Sequence, residues 1–371
     1  MNKQFLYTLL DSMSVSGNEI PLQKKVIEEM TPYCDRIDTD YTGNVTSILN
    51  PEASFKVMLA GHIDEIGLII THIRENGLLD VSKVGGIYPH VYPGHQVMVH
   101  GKHQTIPGCV IINRKMMKGD LTDADLTIDI GAKNKEDALQ YVALGDPIIL
   151  NSNHEEMING YLSARAVDDR GGAFIILEAL KRAKEKGCQI GVYATTTVGE
   201  ETSMRGAHWA SSRIKPNVAI AVDVTYAQDY PGCNPQENGD VKLGHGPVIC
   251  HSSMANTKVN DLLIKIAKEK NIPYQEECFI GRTGTDADKI HFAGPGYTTA
   301  LVSLPLRYMH SPCEMCHFDD IENCIELLSE FLCQINETTT LDPFKYNLLN
   351  HQIKLLKELF ISNYYYFSFP S

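Results

Sequence analysis

The chain has no long hydrophobic run. Across 371 residues nothing reaches the ~18 to 20 consecutive apolar residues of a membrane span, which argues against a helical membrane protein. The first residues, MNKQFLYTLLDSMSVSGNE, hold a short apolar patch followed by Asp11 and Glu19, with no small-residue cleavage site, so no export signal is expected. Basic charge is also scarce: 33 Lys and Arg stand against 46 Asp and Glu, a formal net charge of −13. Phosphate binding needs a basic face, so nucleic acid is excluded as a partner, and an anionic membrane surface is disfavoured on the same ground. The ten cysteines are scattered, as expected of unpaired thiols in a reducing compartment, and the expected location is the cytoplasm. Cys313 and Cys316 form one CxxC, but no second ligand pair accompanies them to make a structural zinc site. HEEM (154–157) lacks the second histidine of a zincin, GHGPVI (244–249) lacks the third glycine of a dinucleotide fingerprint, and there is no P-loop. There is no internal repeat or low-complexity tract.

A 43% hydrophobic content supports a substantial core, and the length suits about two domains. Four apolar runs read as buried strands: KVMLAG (56–61), IGVYATTT (190–197), VAIAVD (218–223) and TALVSLP (299–305). They are continuous rather than alternating, as parallel strands covered on both faces should be. Helical patterns lie between them. IPLQKKVIEEM places Leu22, Val26 and Met30 on one face. RGGAFIILEALKRAKEKG (170–187) follows an acidic pair and ends at glycine, and VNDLLIKIAKEKNIP (259–273) is closed by Asn271 and Pro273. The expected class is α/β, a mixed and mostly parallel sheet flanked by helices. Residues 68–156 differ. LLDVSKVGG, HQVMVHG, GCVIIN, LTIDIG and DPIIL are short and punctuated by Gly, Pro or Asp, with one helical stretch at NKEDALQY (134–141). That is the pattern of a small β-barrel or sandwich inserted in the α/β unit. The expected division is 1–67 with 157–343, an insert at 68–156, and a tail at 344–371 that carries no functional reading.

Chemistry-bearing residues gather at the strand ends: His62 and Asp64 in MLAGHIDE, Glu200 and Glu201 in TTTVGEE, Asp223 in AIAVDVT and His310 in LPLRYMHSP. In open α/β sheets ligands bind beyond the carboxyl ends of strands, so these should meet in one cleft, joined by Asp168 at a helix start in ARAVDDRGG. Two imidazoles with several carboxylates match a pair of divalent ions, since crowded acids would otherwise take up protons. Such ions activate a water and polarise a carbonyl. One of the adjacent glutamates then binds metal and the other is free to take the water's proton. Asp64, two residues from His62 on an extended chain, is placed to accept from its imidazole. Each residue alone has a plain reading: a satisfied buried histidine, a helix N-terminus, a loop, a strand end, a turn. It is their joint occurrence at element ends that is specific. GRTGTDAD (281–288) is a Gly- and Asp-rich loop whose spacing identifies no ligand.

The set AGHIDEIG, SARAVDDRGG, TTTVGEE, AIAVDVT, GRTGTDAD and RYMHSPCE resembles the tetrahedral, TET-type aminopeptidases over residues 1–343. These are co-catalytic metallopeptidases also labelled glutamyl or deblocking aminopeptidases and, under older labels, endoglucanases. The resemblance implies that His62, Asp168 and Asp223 hold one metal, that Asp168 bridges to a second held with Glu201 and His310, that Glu200 is the catalytic base, and that Asp64 orients His62. The ions would be zinc or cobalt, with manganese a further candidate. It further implies that peptides are the substrates, that the inserted β region is a dimerisation domain, and that dimers build a tetrahedral dodecamer. Arg165 departs from it, many relatives having lysine there, and residues 344–371 have no counterpart. Two other activities compete: N-acyl deacylation on the same site, and glycoside hydrolysis, which needs flanking carboxylates and no histidine-bearing metal site. A non-catalytic assembly protein is a third reading, disfavoured by the complete ligand set.

Overall fold

The computed structural model describes residues 1–342 and 344, apart from 102 and 115. The expectation for the tail, Phe344 aside, lies outside the described residues. Among those residues the strands are β1 (Arg36–Thr39), β2 (Val45–Leu49), β3 (Lys56–His62), β4 (Gly67–Ile73), β5 (Leu79–Val84), β6 (Gln96–His100), β7 (Thr105–Val110), β8 (Thr127–Asp129), β9 (Pro147–Leu150), β10 (Glu155–Glu156), β11 (Tyr161–Ala164), β12 (Gly191–Thr197), β13 (Val218–Tyr226), β14 (Val248–Ser252), β15 (Gln275–Phe279), β16 (Thr299–Leu306) and β17 (Glu314–His317). The helices are α1 (Lys3–Asp11), α2 (Ile20–Met30), α3 (Lys135–Ala138), α4 (Val167–Glu185), α5 (Glu200–Ser203), α6 (Arg205–Ile214), α7 (Pro235–Asn238), α8 (Thr257–Lys270), α9 (Asp286–His291) and α10 (Phe318–Gln334).

The central sheet runs β1-β2-β12-β3-β13-β16-β14-β15. Its middle, β12, β3, β13 and β16, is parallel throughout. These are the four continuous apolar runs of the sequence, buried on both faces along nearly all of their length. Antiparallel pairings flank them, β2 on β12 and β14 on β16, so the sheet is mixed. One face packs against α1, α2, α4 and α10, and the other against α6 and α9 through Ala207, Ala210 and Ile290. Leu22, Val26 and Met30 of α2 are fully buried, as their spacing predicts. Phe174 of α4 lies in the larger core with no exposed surface, and truncating such a ring to alanine costs about 3–5 kcal/mol.

Between β3 and β11 the chain closes a six-stranded barrel, in the order β4-β5-β8-β7-β6-β9, around its own core of Leu68, Val97, Val99 and Ile148. One strand there, β4, falls where no strand was expected, and the helix expected at 134–141 is a single turn, α3. In the sheet, β1, β2, β14 and β15 were likewise not expected. Their segments are four or five residues long with polar positions among the apolar ones, and their pairing comes from the neighbouring strands.

Two glycines bring α4 down onto the sheet. A Cβ on Gly61 would lie 2.7 Å from Ala173 N, and one on Gly172 would lie 2.6 Å from Val222 O. This close approach of helix backbone to strand backbone sets the start of α4 beside the ends of β3 and β13.

Candidate functional site

Because β3, β12, β13 and β16 are parallel, their carboxyl ends open on one side of the sheet. His62 is the last residue of β3, and both of its ring nitrogens are engaged. Nδ1 donates to the Asp64 carbonyl at 3.1 Å, and Nε2 lies 3.1 Å from Asp168 Oδ1. A carbonyl only accepts, so Nδ1 carries a hydrogen and Nε2 is the nitrogen that faces Asp168. His310, on the loop after β16, repeats this arrangement. Nδ1 donates to Gly86 O at 2.8 Å, while Nε2 sits 3.3 Å from Asp168 Oδ2 and 3.7 Å from Glu201 Oε1. Its backbone is left-handed, with φ of 62°, and Glu314 Oε1 holds it there by accepting the His310 N–H at 2.8 Å.

The glutamate pair begins α5, immediately after Gly199, which has φ of 66° and turns the chain out of β12. Asp64 fixes this turn: its carboxylate accepts the backbone N–H of Glu200 at 3.1 Å and of Glu201 at 3.2 Å. Asp64 Oδ1 is also 3.6 Å from His62 Nδ1. Glu200 Oε2 lies 3.8 Å from His62 Nε2. Donor atoms of His62, Asp168 and Glu201 fall within 4.8 Å of one another, as do those of His62, Asp169 and Asp223. The seven residues singled out in the sequence thus gather around His62 and Asp168, though they come from five separate segments, with Asp223 grouped with His62 and Asp169.

The charge here is not balanced by the protein. Burial, then neighbouring carboxylates, hold the Glu200 and Glu201 carboxyls well above their ordinary range, against the pull of His62. Burial and Asp168 push Asp223 up to about 8. Burial works against a charged ring at His310, but the Asp168 carboxylate overrides it and lifts the imidazole to about 10. Glu200 Oε1 and Glu201 Oε1 are buried with no hydrogen-bond partner among the described residues. Orphaned carboxylate oxygens beside two imidazoles whose Nε2 atoms face inward fit divalent cations, which prefer this mixture of N and O donors.

Three further residues at the site are not among those the sequence singles out. Asp169 follows Asp168 in the acidic doublet and accepts the His62 N–H and the Gly172 N–H, each at 3.0 Å, clamping β3 to α4. Glu314 is buried and accepts the Asp168 N–H at 3.1 Å as well as that of His310, tying both to one carboxylate. The doublet VDD and the segment HSPCE were the available hints. Asp286, in the GRTGTDAD segment, accepts from Thr197 Oγ1 at the end of β12. In front of these residues lies a cavity of about 310 Å³, floored by Asp223, Thr225, Leu301 and Ser303 and walled by Glu277, Phe279, Thr283 and Met309.

This fold recurs in solved structures. The chain superposes on the TET aminopeptidase of Thaumarchaeota archaeon SCGC AB-539-E09 with a TM-score of 0.85 and 31% identity, over 90% of this chain and 96% of that one. It does so on the TET1 peptidase of Pyrococcus horikoshii, described as assembling into a tetrahedron or a large octahedral shell, with a TM-score of 0.81 and 29% identity, over 90% and 99% of the chains. It is also 30% identical over 340 residues to the lysyl aminopeptidase of Pyrococcus furiosus, over 89% of this chain and 96% of the relative. Fold and likeness together define a hydrolase of peptide bonds, of the aminopeptidase class. Residues 43–327 match the M42 glutamyl aminopeptidase family model, and the chain belongs to that family.

Proposed function

We propose that the chain removes N-terminal residues from peptides with two divalent metal ions held on Asp168. What carries this reading is the convergence of His62 Nε2 and His310 Nε2 on the two oxygens of Asp168, at 3.1 and 3.3 Å. His62, Asp168 and Asp223 would hold one ion, and Asp168, Glu201 and His310 the other, with zinc, cobalt or manganese all suited to this donor set. Such ions, when bound, acidify a water and polarise a carbonyl oxygen. The rest is the chain's own work. Glu200, whose Oε1 has no partner, takes the proton of the attacking water and returns it to the leaving amine. Burial keeps its carboxyl basic enough for that role. Asp64 holds the Glu200–Glu201 turn and backs His62, so both glutamates stay aimed while their protonation changes.

The inserted barrel is proposed as the dimerisation unit, and the dimers as the building block of a tetrahedral dodecamer. The support is the assembly described for the Pyrococcus horikoshii peptidase. A cytoplasmic location fits this reading, and among the described residues no helix is long and apolar enough to cross a membrane. The test is a panel of leucyl anilide, N-acetyl-leucyl anilide and cellulose oligomers, run before and after chelation. Turnover of the free-amine substrate alone, abolished by chelator and restored by zinc, cobalt or manganese, is expected. Faster turnover of the acetylated substrate would favour deacylation, and chelator-resistant cleavage of cellulose oligomers would favour glycoside hydrolysis.

A further inference from the structure

The cavity in front of the metal-ligand candidates is lined by Asp168, Glu200, Glu201 and Asp223 and by one further carboxylate, Glu277. Glu277 is 3% exposed, on β15, and its carboxylate accepts from Thr225 Oγ1 at 2.6 Å and from Ser303 Oγ at 3.4 Å. Both partners are neutral hydroxyls. No lysine or arginine lines the cavity among the described residues, and Arg282, on the nearby loop, is exposed. Burial without a facing cation pushes the Glu277 carboxyl up to about 7, a demand that an entering cation would meet, and Glu277 plays no part in the proposed bond cleavage.

Its position relative to the reacting centre is set by strand register. Asp223 pairs with Ser303 across β13 and β16, and Thr225 follows Asp223 two residues along β13 on the same face. Two residues of strand span about 6.6 Å. The Glu277 carboxylate, bonded to Thr225 Oγ1 and Ser303 Oγ, therefore stands within about two strand residues of Asp223, a range that a lysine or arginine side chain spans. The walls between, Leu301, Phe279 and Met309, are apolar and suit the methylene stem of such a side chain.

We infer that Glu277 is a specificity-determining residue, which recognises the ammonium or guanidinium of an N-terminal lysine or arginine and rejects an N-terminal glutamate or aspartate. This rests on the aminopeptidase reading given above. The family description names a glutamyl residue and one relative is named for lysyl, so the names leave this chain's preference open. A cation in the cavity gains a buried counter-charge flanked by two hydroxyl donors. A carboxylate in the same place meets like charge and has no donor cation to pair with, an arrangement that discriminates by repulsion as well as attraction.

The experiment uses the full chain loaded with zinc, cobalt or manganese and the p-nitroanilides of lysine, arginine, norleucine, leucine and glutamate. Norleucine matches the lysine stem without its charge, so the lysine-to-norleucine ratio of kcat/KM isolates the contribution of Glu277. The expected ratio in the wild type is about 10 or more, with glutamate the poorest substrate, and Glu277→Gln lowers the ratio roughly 30-fold or more. Glu277→Asp, which keeps the charge, retains part of the preference. A wild-type ratio near or below one, or faster turnover of glutamate than of norleucine, overturns the inference while leaving the aminopeptidase reading standing. So does a ratio that Glu277→Gln leaves unmoved. Should Glu277→Gln fail to fold, inhibition of wild-type norleucine anilide turnover by lysine amide against norleucine amide decides: equal inhibition overturns the inference, and stronger inhibition by lysine amide supports it. If no aminoacyl anilide is turned over by any metal-loaded form, the aminopeptidase reading itself falls, and this inference with it.

Discussion

Asp64 and Glu65 are neighbours in the chain and both are buried, yet they face opposite electrostatic surroundings. Glu65 is gripped by two guanidinium groups, Arg165 and Arg170, the latter at 2.5 Å. Arg170 also donates to Leu9 O at 3.1 Å and Leu10 O at 3.2 Å, and Arg165 to Ser12 O at 3.1 Å, so the cluster caps the carbonyl end of α1. Burial alone would raise the Glu65 carboxyl, but the two arginines hold it below its ordinary range. On the Asp64 side the carboxylates of Glu200, Glu201 and Asp223 gather with only two imidazoles, and their carboxyls are driven up. The contrast separates a structural cluster, in which the protein supplies its own counter-charge, from a functional one, in which the counter-charge is left to come from outside. The structural cluster is not free of cost, since Arg165 Nε and Arg170 Nε are buried without partners among the described residues.

Substitutions should divide along the same line. The largest effect is expected from Glu200→Gln, which removes the proton acceptor and keeps the shape: turnover should fall ~10²–10⁴-fold with metal content and melting temperature unchanged. Wild-type turnover in that variant would remove Glu200 from the mechanism. Next comes Arg170→Met, which leaves Glu65 with one guanidinium. Denaturant unfolding should show a loss of about 3–5 kcal/mol that added metal ion does not remove. Metal ion itself should stabilise the wild type by about 2.7 kcal/mol at a free concentration one hundred times its dissociation constant, read as a rise in melting temperature. Arg170→Met should keep that increment, and Asp168→Ala should lose it.

The last comparison is one of pH, and its sign differs between the clusters. In the ion-free protein the Asp223 carboxyl is at about 8 when folded, against an ordinary value of ~3.9 when unfolded. A carboxyl raised by folding contributes its stability fully below the lower value and loses it as pH climbs through the upper one. Glu65, depressed by folding, contributes above its unfolded value of ~4.3 and loses that contribution as pH falls through the folded one. Chelated protein should therefore lose stability between about pH 4 and 8, and metal loading should flatten that slope. Denaturation midpoints at pH 5 and pH 8, with and without ion, check it. An equal slope in both forms would mean the acids are not where the ions bind.

The parallel centre of the sheet was legible because β3, β12, β13 and β16 are long, continuous and apolar, and buried parallel strands read that way whatever surrounds them. The candidate site was legible for a related reason. His62, Glu200 and His310 sit at or just beyond the ends of these strands, and the topology forces such ends together; Asp223, expected to close its strand, lies three residues before the end of β13, which runs on to Tyr226. Residues whose role depends on a distant partner were not legible. Glu65 meets arginines about a hundred positions away, Glu314 reaches back to the Asp168 N–H, and Glu277 acquires its place only when β15 joins the edge of the sheet through β14. No local spacing marks such contacts. The short strands β1, β2, β14 and β15 escaped for the same reason, since their pairing is supplied by neighbours.

The most direct measurement is elemental analysis of the chelated, metal-reloaded and dialysed chain beside its Asp168→Ala variant. Two divalent ions per wild-type chain are predicted, with both lost when the shared carboxylate is removed. A wild type that binds none after reloading, or a variant that retains both, would contradict the metal centre on which this account depends.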